Sequence, residues 1–400
     1  MSPMCVLLLF LLVVTVKQGT LRGTTATSGY NTSYTAFLGI PYAEPPVGDL
    51  RFQPPQPATG WEGVRDATQY GSDCVQNTGE GSEDCLYLNV YVPGLPHEGS
   101  ELPVLFYVHG GGFVKGSGSD QKFGPDFLVS YGVILVTINY RLGPLGFLST
   151  GDDVVPGNVG LKDQLLGLSW VQSNIERFGG DPQRVTLDGR SAGGVAVSLH
   201  LMSPQTAVLY KIVYMWMPAI GLFSRLVDQS GTFVAGMSVV PDPRYHAFRL
   251  GGVLGYEAET SQQLVQFLRS VNATDLLVDT SVLMTDELSE DIDFFNPTDA
   301  LVRRIVEVSD LPVYYYEFDY RGMNVPTNEW GKFKRRTYTK IQSATNPTPE
   351  ADPVVWEPYD LSSRSYLLMQ ANFSLAHDRL GERMDFWNDN VPLEPSPGTY

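Results

Sequence analysis

At 400 residues the chain is long enough for one large α/β domain or two ordinary ones, and 43% hydrophobic with 12% aromatic residues suffice for a buried core. Acidic side chains outnumber basic ones, 44 against 27, for a formal net charge of −17, which argues against nucleic acid and anionic membrane surfaces as partners. No Cys/His cluster has the spacing of a metal site and no phosphate loop or dinucleotide fingerprint occurs, so neither metal nor cofactor is expected.

Residues 4–16 are almost continuously apolar yet too short to span a bilayer. They read as the core of a secretory signal, with residues 1–18 removed, no transmembrane segment left, and the product secreted. Of the three cysteines, Cys5 leaves with that segment. Cys74 and Cys85 remain as a pair in an oxidising compartment, where a bridge between them is expected. Sequons at Asn31, Asn272 and Asn372 fit a secreted glycoprotein.

From residue 19 to 70, Gly, Pro and Thr dominate and predict hairpins and irregular covering structure. Residues 83–90 alternate as a strand. Residues 103–108 and 132–140 are apolar on both faces and rich in β-branched and aromatic types, as inner strands of a parallel sheet require. The first of these runs into His109 and the glycines Gly110, Gly111 and Gly112. A glycine triplet after a buried strand lets the backbone approach a ligand and present its N–H groups, which suits an oxyanion hole. His109 itself reads as a buried structural histidine. Leu161, Leu165, Leu168, Val171 and Ile175 recur at helical spacing and predict an amphipathic helix. The short run Val185 to Leu187 then leads to Gly189, Ser191 and Gly193, a serine between glycines where a strand turns sharply into a helix. This order of strands and helices predicts a central, mostly parallel sheet flanked by helices.

The segments EDCLYLNV (residues 83–90) and FGGDPQRVTLDGRSAG (residues 178–193) resemble the signatures of the type-B carboxylesterase and cholinesterase family of α/β-hydrolases. So do GIPYAEPPVGDLRF (39–52), HGGGF (109–113), NYRLGPLGFL (139–148) and GNVGLKDQ (157–164). The resemblance implies an α/β-hydrolase fold over residues 19–400. It also implies Ser191 as nucleophile, an oxyanion hole from the backbone N–H groups of Gly111, Gly112 and Ala192, and structural ion pairs Arg51 with Glu83 and Arg141 with Asp163.

The chain departs from the family in several places. Arg190 stands where the family most often carries Glu. Residues 208–220 look like an insertion, and family segments are missing near residues 279–293 and 330–345, leaving the C-terminal half incomplete. Those segments would carry the acidic and histidine members of the triad. Glu287 and His377 are the remaining candidates for acid and base, each with a bland reading as a loop carboxylate and a terminal helix residue. The basic run at residues 332–336 reads as a solvated loop at the join. The function expected is a secreted serine hydrolase of small carboxylic esters, working through an acyl-serine and impaired by the missing segments. The alternative is a non-catalytic cholinesterase-like binding or adhesion protein, or a product of altered splicing.

Overall fold

The computed structural model describes residues 12–119, 124–202, 222–232 and 242–277, together with strands at 313–318, 336–341, 365–369 and 373–377. In chain order the strands are β1 (Val13–Val16), β2 (Gly19–Arg22), β3 (Thr24–Thr27), β4 (Ser33–Pro41), β5 (Val64–Asp66), β6 (Tyr87–Pro93), β7 (Leu102–Val108), β8 (Ile134–Ile138), β9 (Gly180–Arg190), β10 (Arg225–Gln229), β11 (Val313–Phe318), β12 (Arg336–Ile341), β13 (Ser365–Met369) and β14 (Phe373–His377). The helices are α1 (Asp126–Ser130), α2 (Gly143–Phe147), α3 (Val159–Asn174), α4 (Ala192–Met202), α5 (Pro243–Val253) and α6 (Ser261–Ser270). The chain forms two compact units, Met1–Leu187 with Val240–Thr285, and Asp188–Val239 with Asp286–Tyr400.

The first unit contains a small sheet, β1-β2-β5, and a larger one in the order β3-β4-β6-β8-β7-β9. The larger sheet is mixed. β7 and β8 run parallel because α1 crosses between them, whereas β3, β4, β6 and β8 pair antiparallel in sequence. β9 starts at Gly180, well before the Val185 run, and both Val185 and Leu187 are fully buried.

β1 lies within residues 1–18, the stretch expected to be removed as a signal. Val13–Val16 pairs antiparallel with Gly19–Arg22, Val14 and Val16 are buried, and the Lys17 amide donates to Asn174 Oδ1 at 2.9 Å.

Helix α3 also departs from expectation. Its buried positions are Val159, Gly160, Asp163, Gln164, Gly167, Leu168, Trp170, Val171 and Asn174, while Leu161 and Leu165 are only half-buried. The helix is turned so that Asp163 faces Arg141 and Gly167 lies against the sheet, where a Cβ would stand 3.5 Å from Ile138 and Phe106. The chain then tightens into a 3₁₀ turn at Ile175–Phe178 before β9.

Two buried charge clusters fix this unit. Arg141 donates to both carboxylate oxygens of Asp163, at 2.8 and 2.6 Å, and to the Gln53 carbonyl at 2.8 Å. Arg51 donates to both oxygens of Glu83, at 2.6 and 2.5 Å, and caps the end of α6 through the carbonyls of Leu268 (2.9 Å) and Val271 (2.6 Å). Helix α6 begins with a capping box between Thr260 and Gln263 and presents Leu264, Val265 and Leu268 to a core with Phe52, Val75 and Leu145. Cys74 and Cys85 are joined by a disulfide.

In the second unit β10-β12-β11-β13-β14 lie side by side. β12 is antiparallel to both β10 and β11, β11 is parallel to β13, and β13 is antiparallel to β14. Two expectations change here. Arg336, the last residue of the basic run expected as a solvated loop, begins strand β12, which lies between β10 and β11. His377, expected on a terminal helix face, ends β14 opposite Ser365. The alternation of Phe373, Leu375 and His377 suits a strand as well as a helix face, and pairing with β13 decides it. The insertion at 208–220, Glu287, Asn372 and most of the 279–293 and 330–345 regions lie outside the described residues.

Candidate active site

The turn from β9 into α4 is built by close approach of backbone. Ser191 has φ of 56°, a left-handed conformation that is costly for a side chain other than glycine. Its amide donates to the Gln229 carbonyl at 2.7 Å, and its carbonyl accepts from Val195 at 3.0 Å, so the strained residue is held from both sides. A Cβ at Gly189 would run into the Gly193 carbonyl, one at Gly194 would lie 2.5 Å from Asp228 Oδ1, and one at Gly231 would meet Ser191 O. Only glycines let the strand end, the first helical turn and the β10 end pack this tightly. Residues 192–198 of α4 are all buried. Ser191 is half-buried at the N-terminus of that helix, where the first amides, Ala192 among them, have no intrahelical partner and the dipole favours negative charge. Among the described residues, no histidine or carboxylate is bonded to the Ser191 hydroxyl.

The glycine loop belongs to the first unit. Gly111 has φ of 120° and Gly112 φ of 63°, followed by Phe113 at 60°. A Cβ at Gly111 would overlap the Lys115 carbonyl, whereas at Gly112 the nearest atom is Val114 Cγ2 at 3.8 Å. The Gly111 carbonyl takes the amides of Val114 and Lys115, both at 3.1 Å, which closes the turn. Among the described residues neither Gly111 nor Gly112 gives its own amide to a carbonyl, so two oriented donors are left over. His109 anchors the loop: Nδ1 donates to Gly110 O at 2.8 Å and the ring stacks on Tyr140 with centroids 4.4 Å apart. Burial pushes its pKa down to about 4, so the ring is neutral. Its Nε2 has no partner among the described residues.

Two further histidines have surroundings of their own. His200 is buried on α4, with its pKa pushed down to about 4 by burial, and His97 lies exposed in a loop. Arg190 is the half-buried last residue of β9. Among the described residues no group of three or more His, Cys, Asp or Glu side chains could hold a metal ion, and no helix is long and apolar enough to cross a membrane.

Sequence reasoning missed a buried carboxylate pair beside the elbow. Asp188 on β9 and Asp228 on β10 are 6% and 3% exposed. Gln229 Nε2 donates to both oxygens of Asp188, at 2.8 and 3.1 Å, while neither oxygen of Asp228 has a partner among the described residues. Burial raises the Asp188 pKa to about 7. Asp228 is raised well above the usual carboxylate range by burial and then by the charge of Asp188. The available signal was an acidic residue inside an apolar strand run in each of VTLDG and RLVDQ.

A buried strand that turns through a left-handed serine into an apolar helix has the backbone geometry that a nucleophile elbow requires. The chain belongs to the carboxylesterase family, which it matches over residues 11–287. It is 43% identical over 277 residues to juvenile hormone esterase of Tribolium castaneum, a stretch covering 66% of this chain and 44% of that protein. It is 40% identical over 266 residues to venom carboxylesterase-6 of Apis mellifera, covering 64% and 45%. It is also 40% identical over 287 residues to cocaine esterase of Oryctolagus cuniculus, covering 66% and 51%. The chain thus spans about half the length of these curated relatives.

Proposed function

We propose that this chain derives from a secreted carboxylic ester hydrolase acting on small esters, with Ser191 as the nucleophile that would form an acyl-serine, and that it is impaired as it stands. The observation carrying this reading is the strained Ser191 held at the start of α4 by Gln229 and Val195. Ala192 is assigned an oxyanion donor beside it, and the amides of Gly111 and Gly112 suit the same role on the strength of the family resemblance. The disulfide and the exposed sequons at Asn31 and Asn272 support secretion.

Impairment follows from the missing base. A serine hydroxyl is a poor nucleophile near neutral pH without one, and in serine hydrolases loss of a triad member leaves roughly 10³ to 10⁴-fold over water. The absence, among the described residues, of a histidine on Ser191 Oγ also favours the second reading, a non-catalytic binding protein on the same fold. The test is turnover of a simple aryl ester by the purified chain, with an organophosphorus probe for an activated serine. Weak labelling, and a small rate that Ser191→Ala changes little, are expected. Brisk turnover abolished by both Ser191→Ala and His377→Ala would overturn the impairment and make His377 the base.

A further inference from the structure

The tip of the β3–β4 hairpin carries an arrangement that ester chemistry does not use. Between Thr27 and Ser33 the chain turns on Ser28, whose hydroxyl accepts the amides of Tyr30 at 3.2 Å and Thr32 at 3.1 Å. Asn31 stands at the apex with φ of 61°, exposed, and its amide donates to the Ser28 carbonyl at 2.9 Å. Among the described residues its side-chain amide has no partner. The tip is tied down to α1: the Gly29 amide donates to Asp126 Oδ2 at 2.9 Å, and the Thr32 and Ser130 hydroxyls are 3.0 Å apart. The sequon Asn31-Thr32-Ser33 is therefore presented on a fixed turn, open to solvent.

Beside it lies a strip of uncovered aromatic rings. Tyr30, Phe127 and Tyr131 are 66%, 56% and 72% exposed. Tyr30 meets Phe127 edge-on with centroids 6.1 Å apart, and Phe127 meets Tyr131 at 4.9 Å. Tyr131 directly follows α1, four residues after Phe127, and Tyr30 precedes the sequon asparagine directly, so the strip begins where a sugar would begin. Contiguous apolar surface of this kind is seldom left bare on a soluble protein. The C–H face of a pyranose and its N-acetyl methyl are apolar groups that an aromatic face accepts, and their hydroxyls stay in water.

We propose that Asn31 is N-glycosylated and that the first N-acetylglucosamine units of its glycan lie over Tyr30, Phe127 and Tyr131 as a cover for that strip. The inference rests on the secretory reading above. In the transfer, Asn31 Nδ2 bonds to C1 of the first sugar of a lipid-pyrophosphate-linked oligosaccharide. The lipid pyrophosphate leaves with the glycosidic electron pair, and one Nδ2 proton is released.

The test uses the full chain secreted from a eukaryotic host. Glycopeptide mass spectrometry is expected to find Asn31 occupied in most molecules. Nitration of Tyr30 and Tyr131 by tetranitromethane is expected to be several-fold faster after complete enzymatic removal of the glycans from the folded protein. Trimming to a single N-acetylglucosamine should keep Tyr30 slow. The same acceleration is expected in Asn31→Gln and not in Asn272→Gln, and the enzymatic arm decides the matter if a variant fails to fold. Asn31 empty while Asn272 is occupied, or equal nitration rates with and without the glycan, would overturn the inference. So would a dimer of the glycosylated chain that Tyr131→Ser abolishes, since the strip would then belong to a second copy. Both sequons empty with the disulfide formed would remove the inference alone; both empty with Cys74 and Cys85 as free thiols would remove the secretory reading with it.

Discussion

Arg141 grips Asp163 by two side-chain bonds of 2.8 and 2.6 Å, and its own backbone amide adds a third at 3.0 Å, with both side chains almost entirely out of water. Each charge is tolerated only because the other is there. Asp163→Ala leaves the guanidinium buried with one carbonyl, Gln53 O, as partner, and is expected to destabilise the chain by about 3–5 kcal/mol. A urea titration of the two proteins by fluorescence measures this, and a loss under 1 kcal/mol would mean that the pair is solvated in solution.

Asp188 makes stability depend on pH in the direction opposite to an ordinary paired carboxylate. Its pKa is about 7 in the fold, raised mainly by burial, against an ordinary 3.8. Between those values the native chain holds more protons than the unfolded one, so stability falls as pH rises. The contribution is full below about 3.8 and lost above about 7. His109 and His200 act in the other sense: with pKa values of about 4 against an ordinary 6.5, their contribution is present above 6.5 and lost as pH falls through 4. Asp188→Asn should raise Tm at pH 8 and leave it almost unchanged at pH 4.5. An unchanged slope between pH 5 and 8 in that variant would refute the assignment.

The Cys74–Cys85 bridge closes a short loop whose neighbours Val75 and Leu86 are buried. Opening it frees the unfolded chain more than the folded one, at a cost of about 2–4 kcal/mol. Cys74→Ser with Cys85→Ser, compared with the parent by thermal melting with and without dithiothreitol, should melt lower, and the reductant should shift the parent alone.

Gly111 and Gly112 should respond differently to the same substitution. Gly111→Ala combines a φ of 120° with overlap on the Lys115 carbonyl, whereas Gly112→Ala, at 63° with open space around it, meets only the left-handed penalty. The second is expected to cost about 1–2 kcal/mol and the first clearly more. Equal losses in chemical melts would show that the loop relaxes around residue 111.

These glycines and the elbow are legible in the sequence because each answers a local steric demand that one residue type meets. Asp188 and Asp228 are not, since an acidic letter in a strand looks the same whether solvated or buried. What buries this pair is the packing, within the second unit, of the end of β9 from Asp188 onward against β10, set by residues some forty positions apart. The face of α3 fails to be read for a related reason. Asp163 and Gly167 count as polar or neutral in an apolar stripe, yet a guanidinium and a flat stretch of sheet draw them inward.

The first unit is interrupted: its chain leaves after Leu187 and returns at Val240 with α5 and α6. Arg51 and Phe52 are made early, but the carbonyls that Arg51 caps and the leucines that Phe52 packs against belong to Leu264, Leu268 and Val271. On a ribosome adding roughly 5–20 residues per second, that wait is on the order of ten to forty seconds. Throughout it the nascent chain displays half a core and a guanidinium meant for burial. Holding factors that shield unfinished apolar surface are therefore expected to influence how much of this protein is made.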